Sequence, residues 1–284
     1  MSTRSAAACR SEPQHATLQR ATGTLRVAVK RRGPASVLDD LRQEGCLKAR
    51  FPRGADWFEA VTLNSSGGVA GGDALSAQYD VGAGARATFA SQAAERFYRA
   101  RAADLPARVH STVTVGAAAA AEWLPQEAIL FDGAALDRRL TIEMADDAWF
   151  LGVETLVFGR TAMGERIGAL RLADTIRVRR AGRLLLHDAV RLDGDAAAIL
   201  ARPATARGGA AVATLIHVAP DAEQSLPALR TAWEEAPAET GASAWDGMLL
   251  GRVAATDCAA LRPTLLAALA VLRAGRAMPR VWLC

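Results

Sequence analysis

The sequence lacks nearly everything that would announce a catalytic or metal-storing centre. Its four cysteines, Cys9, Cys46, Cys258 and Cys284, lie far apart and form neither a CxxC pair nor a Cys/His ligand spacing. They read as buried or free reduced thiols. There is no HExxH, no paired HxH and no GxSxG, which excludes the commonest zinc and serine-hydrolase arrangements. His15, His110, His187 and His217 sit in unrelated contexts: His217 lies inside an apolar run and reads as a core histidine, and His187-Asp188 would point to opposite faces of a strand. No run approaches the ~20 apolar residues of a membrane span, and Met1 to Thr22 has no apolar core of signal-peptide length. Charge of one sign is also scarce. Lys and Arg number 34 against 30 Asp and Glu, and Arg138, Arg139, Arg177 and Arg179 are scattered among apolar residues. That argues against a nucleic-acid surface, which needs a basic stripe, and leaves an acidic protein partner compatible. The expectation is a cytoplasmic protein with a disordered segment at 1–22 and one domain over 23–284.

What is present is a half-hydrophobic chain, 51% by composition, broken into many short alternating runs. Strands are expected from Thr24, over Trp57 to Leu63, Ala74 to Val81, Ala85 to Ser91, Val109 to Val115, Leu136 to Met144, Trp149 to Phe158, Leu170 to Arg179, Arg183 to Val190 and Val212 to Val218. Gly82 and Gly84 suggest a hairpin-like turn between the third and fourth of these. Val37 to Phe51 is too mixed to assign. Pro125 splits Ala117 to Asp132 into two strands or a bent one. Helices appear only late: Ala222 to Glu235 behind Asp221, and a clearer one behind Asp257 with Leu261, Leu265, Leu269 and Leu272 on one face. A strand is expected between them over Trp245 to Ala254, and another at Pro279 to Leu283. No repeat of fixed period is evident, and the whole reads as mainly β.

The densest feature is Asn64-Ser65-Ser66-Gly67-Gly68-Val69-Ala70-Gly71-Gly72-Asp73, with four glycines in six residues. A phosphate loop would need Lys and then Ser or Thr after the last glycine, where Asp73 stands, and a dinucleotide loop should open a helix rather than the alternating run Ala74 to Val81. Glu95 to Arg101 sets Phe97 and Tyr98 among Arg96, Arg99 and Arg101. It could be a stacking surface for a base or an anchored turn. An anion- or nucleotide-binding enzyme using 64–73 and Arg96 to Arg101 is therefore the alternative function. Carboxylates at glycine or turn positions, Asp73, Glu122, Glu127, Asp132 and Glu165, either close turns or offer exchangeable oxygen ligands to a divalent transition metal.

Several motifs together resemble the UreD (UreH) family of urease accessory proteins. They are Leu63 to Asp73, Ser91-Gln92-Ala93-Ala94 with Phe97-Tyr98-Arg99, Glu122-Trp123-Leu124-Pro125-Gln126-Glu127 with Phe131-Asp132-Gly133, Phe158-Gly159-Arg160 with Gly164-Glu165, and Pro279-Arg280-Val281-Trp282. They keep one order from Leu63 to the end of the chain. Ser65-Ser66 and Val69-Ala70 depart from the common pattern, and the alanine-rich N-terminus matches nothing. The resemblance implies a non-catalytic scaffold of stacked strands, β-helical or sandwich-like, with a small helical portion. It further implies a complex with UreF, UreG and apo-urease, with no membrane or nucleic-acid partner and no permanently bound cofactor. Ni2+ would pass in transit through an internal passage lined or shaped by Asp73, Glu122, Glu127, Asp132 and Glu165.

Overall fold

The computed structural model describes residues 19–53, 57–160 and 163–283. Among these the chain is mainly β, in two sheets. It opens with β1 (Thr22–Arg32), β2 (Ala35–Gly45), β3 (Leu47–Arg50) and β4 (Phe58–Asn64). From there it winds between the sheets. Strands β5 (Ala74–Val81), β8 (Ala107–Val115), β11 (Ala135–Met144) and β13 (Leu170–Arg180) stack in parallel in one sheet; β6 (Arg86–Ser91), β9 (Ala120–Leu124) and β12 (Trp149–Phe158) stack in parallel in the other, beside β4. Two short strands, β7 (Glu95–Phe97) and β10 (Ala128–Leu130), pair with each other, and β10 also pairs with β12. Antiparallel strands close both sheets: β14 (Arg183–Gly194) on the first, and β15 (Ala211–Val218), β17 (Met248–Ala255) and β16 (Glu239–Trp245) on the second.

The register explains why period-two sequences assemble this way. Val27, Tyr79, Val113, Ile142 and Val178 are successive partners across the first sheet, and each is at most 1% exposed. A one-residue slip of any strand would drive its column to the solvent face, so the apolar phase fixes the register. Helix α3 (Cys258–Leu272) lies against the other side of the second sheet, where Leu261, Leu265, Leu269 and Leu272 meet Leu151, Val153, Leu215 and Val253. Asp257 caps it by accepting from the Ala260 N–H at 2.9 Å. Each of these leucines removed from water contributes about 2 kcal/mol.

At one end the windings turn through three stacked corners, Gly82 to Ala85, Gly116 to Ala119 and Ala145 to Ala148. Each is closed by the last residue's N–H donating to the first residue's carbonyl. Each also ends on a buried alanine, Ala85, Ala119 or Ala148. Gly82 and Gly84 thus carry the chain from one sheet to the other and do not form a hairpin: β5 pairs with β8, and β6 with β9. The corners recur at unequal spacing because the windings between them differ in length, which hides the repetition from a search for a fixed period.

Other expectations are corrected as well. Val37 to Phe51 forms β2 and β3, joined through Gly45 at φ +59°, where a Cβ would sit 1.9 Å from the Thr22 carbonyl oxygen. Trp245 to Ala254 is two strands, because Asp246-Gly247 turns β16 into β17. The first late helix is a 3-10 turn at Ala222–Ser225, in which Asp221 makes no cap bond, followed by α2 (Leu226–Ala232) with Pro227 in its first turn. Helix α1 (Ala196–Leu200), capped by Asp195, had no sequence expectation. The end of the chain is a 3-10 turn at Arg280–Trp282 and not a strand. Thr22 is already within β1, so the segment expected to be disordered overlaps the fold; its residues 1–18 lie outside the described residues.

Candidate functional site

The loops opposite the stacked corners carry the sequence motifs. They are successive crossings between the sheets, and they are laced together by backbone hydrogen bonds: Val69 N–H to the Arg96 carbonyl, Tyr98 N–H to Val69, Glu95 N–H to Glu127, Phe131 N–H to Phe97 and Gly159 N–H to Leu130, all between 2.8 and 3.0 Å. The glycine stretch is the first crossing. Gly68 has φ +135°, and a Cβ there would come within 2.4 Å of the Tyr98 ring. Asp73, 5% exposed, accepts from the Ala21 and Ala70 N–H groups, each at 2.8 Å. The loop is closed by its own carboxylate, and its cover is Tyr98, whose hydroxyl donates to the Gly67 carbonyl and whose ring packs on Phe131. Arg99 and Arg101 of the neighbouring cluster pair with Asp132 and Asp104. The arrangement holds loops together and presents no phosphate cradle.

The other carboxylates singled out in the sequence are also engaged. Asp132 accepts from the Gly168 and Ala169 N–H groups and pairs with Arg99, and these contacts hold it below the usual carboxylate range. Glu165 pairs with Arg160 and accepts from the Asp132 N–H, with the same effect. Glu127 pairs with Arg262. Glu122 is fully buried; burial pushes its pKa up, but Arg273, Thr88 and Arg276 on its two oxygens outweigh this and hold it low. The segment Glu122 to Glu127 therefore pins the end of the chain: Arg273 also bonds the carbonyls of Arg276 and Ala277, the Trp282 indole donates to the Leu124 carbonyl, and the Gln126 amide donates to Val281. The structure brings Asp132 and Glu165 together and leaves Asp73, Glu122 and Glu127 on separate partners. Among the described residues no group of three or more His, Cys, Asp or Glu is placed to hold a metal ion. Cys46 and Cys258 are free, while Cys9, Cys284 and His15 lie outside the described residues. His217 is a core histidine, with Nδ1 against the Phe150 carbonyl at 3.1 Å.

The polar centre of the molecule lies between the sheets, on residues the motif reading passed over. Arg138 of β11, Asp174 of β13 and Glu154 of β12 occupy inward positions in otherwise apolar phases. Arg138 donates to both oxygens of Asp174, at 2.8 and 2.7 Å, and to Glu154 at 2.7 Å. The Trp123 indole donates to the other Glu154 oxygen at 2.6 Å. Burial pushes Glu154 above the usual carboxylate range even though Arg138 opposes it. Two cavities adjoin this cluster. The larger, about 610 Å3, is lined by Arg138, Glu154, Asp174, Asp188, Thr214 and Arg252 among others; the smaller, about 130 Å3, shares Arg138 and Glu154 and runs beneath Tyr79, Ser111 and Glu95. At the outer side Arg252 pairs with Asp188 at 2.7 Å and donates to Thr214 at 2.6 Å. The signal was in the sequence: the series Leu136, Arg138, Leu140, Ile142 and the series Leu170, Leu172, Asp174, Ile176 each carry one charge in an apolar phase.

The molecule is thus a wound two-sheet scaffold whose motif residues tie loops together and whose buried charges adjoin two cavities between the sheets. The chain belongs to the UreD urease accessory protein family, whose sequence profile matches residues 21–283. It is 45% identical to the urease accessory protein UreD of Dinoroseobacter shibae over 276 residues, covering 96% of each chain, and 43% identical to that of Xanthobacter autotrophicus over 289 residues, covering 99% of each. The UreD of Azorhizobium caulinodans is 43% identical over 265 residues.

Proposed function

We propose that this chain is a non-catalytic scaffold of urease maturation, which assembles in the cytoplasm with UreF, UreG and apo-urease and lets Ni2+ pass through its interior toward the urease site. The observation that carries this reading is the pair of cavities between the sheets, lined by Glu154, Asp174 and Asp188. Oxygen donors in small number bind a divalent transition ion weakly, which suits passage. Of the five carboxylates expected along the passage none lines either cavity: Asp73, Glu127, Asp132 and Glu165 hold the motif-bearing loops, and Glu122 holds Arg273 and Arg276. No helix among the described residues is long and apolar enough to cross a membrane.

Co-expression with apo-urease, UreF and UreG should yield a co-purifying complex and nickel-loaded urease. The test of passage is Val212→Trp, which adds bulk to the wall of the larger cavity. The complex should form and the nickel content of urease should fall at least fivefold. Unchanged loading in an intact complex would overturn the route, and full urease activation without this chain would overturn the maturation role.

A further inference from the structure

We infer that Arg138 is the gate of this interior route: a tethered cation that closes the neck between the two cavities and gives way only to an ion able to replace its charge. The inference rests on the proposed passage. Arg138 and Glu154 are common to the walls of both cavities, so an ion moving from one to the other passes their side chains. The guanidinium lies where the two walls meet, with Asp174 on one edge and Glu154 on the other, and Arg138 and both carboxylates are at most 13% exposed. With both carboxylates ionised, one guanidinium between them leaves a single negative charge on a buried cluster. Such a cluster attracts cations and cannot let go of the arginine unless other positive charge arrives.

A monovalent ion replaces the guanidinium's charge but none of its forked hydrogen bonds, so it gains nothing by entering. A divalent ion neutralises both carboxylates. The displaced side chain has room in the larger cavity, which its present position already lines. Trp123 holds Glu154 from the far side at 2.6 Å, so the carboxylate stays in place while the arginine moves. The chain thus carries its own stand-in for the cargo. Closure needs no moving loop, only one rotamer change within a preformed space.

The gate is tested by nickel titration of the full chain in its co-purified complex, with the metal alone as probe. Arg138→Met leaves two unpaired carboxylates at the neck; it should gain one nickel equivalent bound at least tenfold more tightly than any in the wild type, and should deliver several-fold less nickel to urease because the ion is trapped. Adding Asp174→Asn to Arg138→Met restores the single negative charge and should abolish the gained equivalent. Arg138→Lys keeps a cation without the fork and should show a smaller gain, which keeps the test open if Arg138→Met does not fold. If neither variant gains a nickel equivalent removable by Asp174→Asn, Arg138 is a structural ion pair and the gate is refuted. The passage is judged separately. Blocked loading in Val212→Trp beside unaltered Arg138 variants sinks the gate alone. A gained site beside normal loading in Val212→Trp sinks the passage and, with it, the gating role.

Discussion

Replacing Glu122 by alanine should unfasten the end of the chain. Its two oxygens receive Thr88 Oγ1 at 2.6 Å, Arg273 Nε and Nη2 at 2.8 and 3.0 Å, and Arg276 Nη2 at 2.7 Å, and its side chain is 0% exposed. Truncation leaves the Arg273 guanidinium, 4% exposed, with carbonyl acceptors but no carboxylate in direct contact, Glu59 being its remaining electrostatic partner. Breaking a buried ion pair from one side costs about 3 to 5 kcal/mol, which in a domain of this size lowers Tm by roughly 6 to 20 °C. Because Arg273 and Arg276 start the segment that runs to Trp282, the loss should be local first. Amide exchange and proteolysis should rise over 274–283 before global unfolding. The sign with pH is fixed by the direction of the shift. Glu122 is held below its unfolded value, so its contribution is complete above the ordinary carboxylate range and is lost as pH falls through the folded pKa. Thermal unfolding of wild type and Glu122→Ala should therefore differ most near neutral pH and converge in acid. A difference under about 1 kcal/mol at neutral pH, with 274–283 still protected, would refute the anchoring role.

Gly68→Ala should cost about 1 to 3 kcal/mol, since the residue sits at φ +135° with the Tyr98 ring in the way; pairing it with Tyr98→Ala should recover only the steric part, as read by denaturation midpoints. Tyr79→Phe removes a buried hydroxyl 2.9 Å from Thr62 Oγ1 and should cost about 1 kcal/mol in the same measurement; a stabilised variant would count against that bond. Glu154 is held above its unfolded value, so the wild type loses stability as pH rises through the folded pKa. Glu154→Gln should therefore gain on the wild type as pH rises above the ordinary carboxylate range, and parallel pH profiles would contradict the shift.

Strands with a strict apolar phase are legible in the sequence, unlike the mixed β2 and β3 and the Asp246-Gly247 turn between β16 and β17, and so is α3, where Asp257 caps a four-leucine face. Partners were not legible. Ala74 to Val81 and Ala85 to Ser91 look like a hairpin because two alternating runs flank glycines, yet alternation records which face is buried and not which neighbour supplies the hydrogen bonds. The short elements, α1 and the two 3-10 turns, carry too few residues for a period to show. At the site, carboxylates at glycine and turn positions stand out in the sequence, and in the fold they close turns and knit crossings, as Asp73 does with Ala21 and Ala70. Arg138, Glu154 and Asp174 stood in view as lone charges within apolar phases, and no short motif contains them.

The corners beginning at Gly82, Gly116 and Ala145 have a geometric consequence. Because they stack, each winding is a layer that lengthens the molecule by one strand spacing, about 4.8 Å, while the corners keep the sheets the same distance apart at that end. Span and bore are then set independently, the first by how many layers are stacked and the second by which side chains point inward. A one-residue insertion inside a layer turns the lining beyond it outward unless a bulge takes it up, as the strand pairs do at Ala28/Val29 and Val178/Arg179.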